Sequence, residues 1–231
     1  VGSPLPEGVG FAVVEHAVPM LSIDSLFSAD EVRDFEARIL RFLSLSDADL
    51  DWVLEPKFDG VSLSVIYEKG RFVRAVTRGD GERGEDVSAN ARTIRNLPMM
   101  LETGHRPAPQ LLEVRGEVLM ARNLFERFNA ARAARGDERF ANARNATAGA
   151  MRRNDPAEVA RYPLEFHLWA MPRCEGVRFA TQQEATRALR EWGFADSGYG
   201  RVVRGLDACL AYHDDIEARR DEVPFEMDGV V

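Results

Sequence analysis

Lys57 is the residue of this chain best suited to form a covalent bond. It stands in Leu54-Glu55-Pro56-Lys57-Phe58-Asp59-Gly60, directly after an apolar run, and is one of two lysines against twenty-eight arginines. Arginine serves wherever a fixed positive charge or a forked donor suffices, but it does not give up its proton. A lysine amine does so when its surroundings favour the neutral form, and it then attacks an electrophile. The other lysine, Lys69, lies in Glu68-Lys69-Gly70, which reads as an exposed hairpin turn. In extended backbone alternate residues share a face, so Glu55, Lys57 and Asp59 are expected to point the same way. Two flanking carboxylates suit either an inert, stabilised ammonium or an amine held in position with an acceptor for its proton. Gly60 lets the backbone turn without a β-carbon.

Three further segments set charge on strand-like elements. Arg78-Gly79-Asp80-Gly81 ends a hairpin, where glycines would admit a ligand and Arg78 could reach a phosphate or ribose hydroxyl. In Glu113-Val114-Arg115-Gly116-Glu117-Val118 the charged residues share one face, which is either solvent-exposed or lines a polar cleft. Asp228, in Phe225-Glu226-Met227-Asp228-Gly229-Val230-Val231, is an acid in an apolar strand. Burying such groups unpaired costs several kcal/mol each, at about 2–7 for a neutral polar group and more for a charge. One shared polar cleft is the economical expectation.

The elements that position these groups read as follows. Residues 1 to 27 are irregular. A helix starts at Ser28, where Ser28 and Glu31 form a capping box and Val32, Phe35, Ile39 and Phe42 recur on one face. Strands are expected at 51–56, 61–67, 72–78, 111–120 and 164–170, with an extended segment at 224–231. Helices are expected at 123–135, 142–152, 181–192 and 206–219, with a further one over 86–95. Strands and helices mix without regular βαβ alternation, so the fold class is α+β.

The chain has 231 residues, 45% of them hydrophobic, which is enough to bury a core. No apolar stretch reaches membrane-spanning length, and no signal peptide is evident. Cys174 and Cys209 are isolated, so neither a zinc knuckle nor a disulfide framework is indicated, and a reducing cytoplasm is the expected compartment. The net charge of -8 argues against nucleic acid, but it is unevenly spread. Residues 127–153 carry seven arginines against Asp137 and Glu138, whereas 214–228 carry seven acids against Arg219 and Arg220.

The ordered set of segments resembles the adenylation domain of bacterial NAD-dependent DNA ligases, within the covalent nucleotidyltransferase superfamily. The resemblance rests on His16–Asp24, Glu55-Pro56-Lys57-Phe58-Asp59-Gly60, Thr77–Gly81 with Gly84–Val87, Asn90-Ala91-Arg92-Thr93-Ile94, Leu112–Val118, Phe140–Gly149 and Asp228-Gly229-Val230-Val231. Phe140–Gly149 is close to a segment diagnostic of the NAD-using type. Ala143, where the family often has Pro, and Ile23-Asp24-Ser25, where it usually has Leu-Asp-Asn, are mild departures.

The resemblance implies a nucleotidyltransferase (ATP-grasp-like ligase) core with antiparallel sheets around a nucleotide cleft. It makes Lys57 the residue that takes AMP from NAD, with Asp59 and Asp228 orienting lysine and metal. Ser22, Ile23 and Glu55 would contact the nucleotide, Arg78 and Glu117 would lie near ribose and phosphate, and Trp169 would stack on adenine, against the alternative of a core tryptophan on its strand. Arg144, Arg152 and Arg220 match positions associated with phosphate contact or transfer to DNA, against the alternative of plain surface arginines. The implied cofactors are NAD and Mg²⁺, the implied partner is nicked double-stranded DNA, and the implied setting is a bacterial cytoplasm with nucleoid association during action on DNA. No membrane and no protein partner are expected. Residues 1–231 read as one adenylation core cut at both ends, without the NMN-binding, OB-fold, zinc, helical and BRCT domains, and so unable to seal nicks alone. The alternatives are an ATP- or GTP-using nucleotidyltransferase and a non-catalytic nucleotide- or DNA-binding module.

Overall fold

The computed structural model describes residues 10–45 and 50–231. Its elements run in the order β1 (Val13–Glu15), α1 (Ala29–Phe42), β2 (Asp51–Leu54), β3 (Pro56–Phe58), β4 (Val61–Glu68), β5 (Arg71–Thr77), β6 (Arg83–Glu85), α2 (Ser88–Ala91), β7 (Leu111–Met120), α3 (Arg122–Ala134), α4 (Ala143–Met151), α5 (Pro156–Val159), β8 (Leu164–Glu175), α6 (Gln182–Glu191), β9 (Arg201–Arg204), α7 (Leu206–Ala218) and β10 (Met227–Val230). All resolved pairings are antiparallel, so the mixed α and β reading holds. The chain falls into two compact units.

The first unit comprises Val1–Leu21, Phe58–Ser197 and Pro224–Glu226. Its framework is a four-stranded sheet in the order β5-β4-β7-β8. Alternation in β4 sends Leu63, Val65 and Tyr67 into the core with none of their surface exposed, where they meet Leu112, Val114 and Val118 of β7. The β4–β5 hairpin turns at Lys69 and Gly70, both in left-handed backbone (φ 49° and 78°), as the Lys-Gly pair suggests. Gly60 has a different reason from a backbone turn. A β-carbon there would lie 2.3 Å from the Val118 carbonyl oxygen, so glycine is needed for the close approach of β7.

The second unit comprises Ser22–Lys57, Gly198–Val223 and Met227–Val231. Here β2 pairs with β9, with Asp51 opposite Arg204 and Leu54 opposite Arg201, and β3 pairs with β10. Helix α1 begins with the expected capping box between Ser28 and Glu31, but none of its residues is buried.

Several expectations need correction. The strand read as 51–56 is two, because the chain changes partner at Glu55: β2 serves β9, while Glu55 exchanges two backbone hydrogen bonds of 2.8 Å with Val231. The helix read over 86–95 is four residues long: the backbone N–H groups of Asp86 and Val87 go to Ala12 and Ala75, and beyond Ala91 the chain continues in three-residue turns, Thr93 N to Asn90 O and Ile94 N to Ala91 O. The strand read as 164–170 continues to Glu175, past Pro172, because β8 is an edge strand and its ladder with β7 slips between Glu113 and Arg115. Within the region read as irregular, Val13–Glu15 pairs with β6; the part of that reading over residues 1–9 lies outside the described residues. Strand β9 and helix α5 had no expectation.

Candidate active site

The second unit carries the amine. Lys57 extends from β3, and its Nζ lies 2.8 Å from both carboxylate oxygens of Asp228 on β10. The two residues are 171 positions apart in sequence. What joins them is backbone pairing: Val231 N–H donates to Glu55 O and Glu55 N–H to Val231 O, which lays the acidic strand beside the lysine. Arg220 adds a lock, its guanidinium donating to the Met227 carbonyl at 2.6 Å, next to Asp228. Lys57 keeps 41% and Asp228 48% of side-chain surface exposed, so the amine is paired yet reachable.

The flanking-carboxylate picture is therefore corrected. The ion partner of Lys57 is Asp228, and Asp59 instead holds Arg144 of α4 in the first unit. Glu55 lies against Gly200, where a β-carbon would sit 3.3 Å from its Oε1. It also adds to the field at Tyr212, whose phenol is pushed up to about 12, first by burial and then, against the opposing Arg201, by Glu55 and Asp215. Tyr212 thus stays a donor to the Tyr199 carbonyl, at 2.9 Å. Ser22 and Ile23 are exposed, Ile23 at 57%.

The first unit holds the other expected residues. Glu117 accepts a hydrogen bond from Ser62 Oγ at 2.8 Å. Arg78 donates from Nε to the Met20 carbonyl at 3.2 Å. Trp169 on β8 is 38% exposed. The Arg152 side chain is exposed and makes no hydrogen bond or ion pair among the described residues. Arg144 is paired with Asp59, and in the second unit Arg220 is paired with Glu217 and donates to the Met227 carbonyl.

The charged face read on β7 is neither solvated nor part of a cleft at two of its three positions. Glu113 and Arg115 are 2% and 6% exposed and pair with each other. Ser64 donates to Glu113, and Arg115 donates to the carbonyls of Val18 and Pro19. His16 Nε2 lies near the carbonyls of Thr77 and Arg78, and Met20 is 1% exposed. Arg115, Arg78 and His16 thereby fix the segment leading to Ser22. Sequence reasoning missed this clamp, whose signal was two opposite charges two residues apart in an apolar strand.

Residues 9–231 match the model of the NAD-dependent DNA ligase adenylation domain. The chain belongs to that family. It is 45% identical to a DNA ligase of Phenylobacterium zucineum over 222 residues, covering 96% of this chain and 32% of that protein. A DNA ligase of Geobacter sulfurreducens is 42% identical over 231 residues, covering 100% of this chain and 34% of the relative. For a DNA ligase of Pseudomonas entomophila the figures are 42% over 228 residues, 96% and 29%. The chain thus spans about a third of the length of the curated relatives it matches.

Proposed function

We propose that this chain is the nucleotidyltransferase core of an NAD-dependent DNA ligase and that Lys57 is its adenylated residue. The observation that carries the reading is the half-exposed Lys57 amine held by both oxygens of Asp228, in a chain that belongs to the adenylation family. An ammonium has no lone pair, so a proton must leave before attack. Asp228 is the acceptor in contact with it. The Nζ–P bond forms at the α-phosphorus of NAD as the bridging P–O bond breaks, and nicotinamide mononucleotide departs with that oxygen. AMP then moves from Lys57 to the 5'-phosphate at a DNA nick, and the adjacent 3'-hydroxyl displaces it.

The donor set suits the nucleotide and its metal. Trp169 offers an exposed ring for adenine. Glu55, Ser22 and Ile23 are the further nucleotide contacts by resemblance, and Arg78 and Glu117 those near ribose and phosphate. Arg144, Arg152 and Arg220 are the cations proposed for phosphate contact during transfer. Among the described residues no group of three or more acids, histidines or cysteines is arranged to hold a metal. The metal implied by the resemblance is Mg²⁺, which binds through substrate phosphates with one or two carboxylates; Asp228 would be one such carboxylate, and the ion would supply charge neutralisation at the phosphate oxygens. The proposed polymer partner is nicked duplex DNA; no helix among the described residues is long and apolar enough to cross a membrane.

The test is intact mass of the complete polypeptide after mixing with NAD. The wild type gains one adenylate and Lys57→Arg gains none. An adduct surviving in Lys57→Arg would overturn the reading, and charging by ATP in place of NAD would favour an ATP-using relative.

A further inference from the structure

The motif Asn90-Ala91-Arg92-Thr93-Ile94 has no part in the chemistry above, yet Asn90 is 1% exposed and buried in the first unit. Its amide Nδ2 donates to two carbonyls, Met151 O at 3.0 Å and Arg153 O at 2.8 Å. Those carbonyls bracket Arg152. Helix α4 ends at Met151, and the last carbonyls of a helix have no partner within it, so Asn90 fills a vacancy on either side of one residue. Its orientation is dictated, because only the NH₂ end of the amide can face two acceptors. The cost is visible, since Asn90 Oδ1 is left buried without a partner, a burden of about 1–3 kcal/mol.

The grip is rigid at both ends. Asn90 is held by its own turn, since Thr93 Oγ1 donates to its carbonyl at 2.7 Å. Val87, three residues before it, donates from its backbone to Ala75 of β5 at 2.9 Å. On the other side, Ala150 and Met151 are sunk in the core at 0% and 1% exposure. Arg153 is turned back, donating to Tyr162 Oη at 3.1 Å and to Glu158. Two consecutive arginines thus have opposite fates. Arg153 is absorbed by the scaffold, while the Arg152 side chain is exposed and makes no hydrogen bond or ion pair among the described residues.

We propose that Asn90 is a positioning residue for Arg152: its bifurcated amide fixes the backbone on both sides of that arginine and so holds an unpaired guanidinium ready for a phosphate. This rests on the reading of Arg152 as a phosphate contact in transfer to DNA. Holding a donor in place without reorganisation is worth most in the transition state.

A double-mutant cycle in the complete protein tests it, with self-adenylation by NAD and single-turnover transfer to nicked DNA measured separately. Asn90→Ala should leave the adenylated fraction within about twofold and slow transfer about tenfold to a hundredfold. In an Arg152→Ala background the same substitution should slow transfer no further, because residues that act as a unit are not additive. Additive losses, or equal losses in adenylation and transfer, would overturn the proposal in favour of a purely structural role. Transfer at the wild-type rate in Arg152→Ala alone would instead remove the role assigned to Arg152. Should Asn90→Ala fail to fold, Asn90→Ser retains one donor and enters the same cycle with a smaller expected loss.

Discussion

Two ion pairs on β-strands look alike in sequence and differ in surroundings. Glu113 and Arg115 on β7 retain 3% and 7% of side-chain surface; Ser64 donates to Glu113 and Arg115 donates to the Val18 and Pro19 carbonyls, while Arg115 Nε is buried without a partner. Lys57 and Asp228 retain 41% and 48%, and among the contacts described the lysine has Asp228 as its ion partner. A buried pair that loses one partner leaves an uncompensated charge in the interior, which is strongly destabilising. An exposed pair contributes little to stability, about 0–1 kcal/mol, and can be separated cheaply when a substrate arrives. The first pair is therefore fit to hold backbone, the second to react.

This contrast can be broken by substitution. The largest effect is expected at Asp228→Asn, which keeps the shape but removes the proton acceptor and the charge. Self-adenylation, followed by intact mass over time, should slow about 10²–10⁴-fold, the usual range for a positioned acid or base. An unchanged rate would show that the contact at Lys57 is only structural. Next, Arg115→Met should cost about 3–5 kcal/mol, read from urea midpoints, because Glu113 would be left buried and uncompensated. Adding Glu113→Gln should recover part of that loss. Lys57→Ala, by contrast, should move the urea midpoint by no more than about 1 kcal/mol while abolishing the adduct. If Lys57→Ala proved the more destabilising of the two, the division between holding and reacting would fail.

The smallest effect concerns an exposed charge of a third kind. Asp80 Oδ1 accepts from the backbone N–H groups of Arg83 and Glu82, and these bonds hold its carboxyl below the ordinary range. Because the folded value is depressed, the stabilisation is fully present above the unfolded value of about 3.9 and is lost as pH falls through the folded one. An NMR titration should find Asp80 among the late-protonating carboxylates, and Asp80→Asn should flatten the stability profile slightly in that acid window.

Much of the scaffold was legible. The capping box at Ser28, the Lys69-Gly70 turn and the limits of β7 follow from side-chain chemistry within a few residues, and the structure has them. Lys57 stood out because its type is scarce and the chemistry proposed for it excludes arginine. Its partner was not, since alternation within one strand suggested Glu55 and Asp59, whereas pairing with β10 delivers Asp228 from far away. The burial of Glu113 and Arg115 was equally hidden: alternation gives a shared face but not whether that face meets water. Asn90 stood in a recognised motif without an assigned task, because the carbonyls it serves are 61 and 63 positions away.

The separation of 171 positions between Lys57 and Asp228 has a consequence for biosynthesis. Translation runs from the amino end, so Lys57 leaves the ribosome well before its carboxylate exists. Contacts so distant along the chain form late, after closure of a long loop. A nascent polypeptide therefore carries the amine without the proton acceptor proposed for it, and the pair is completed only when β10 has been made and has docked.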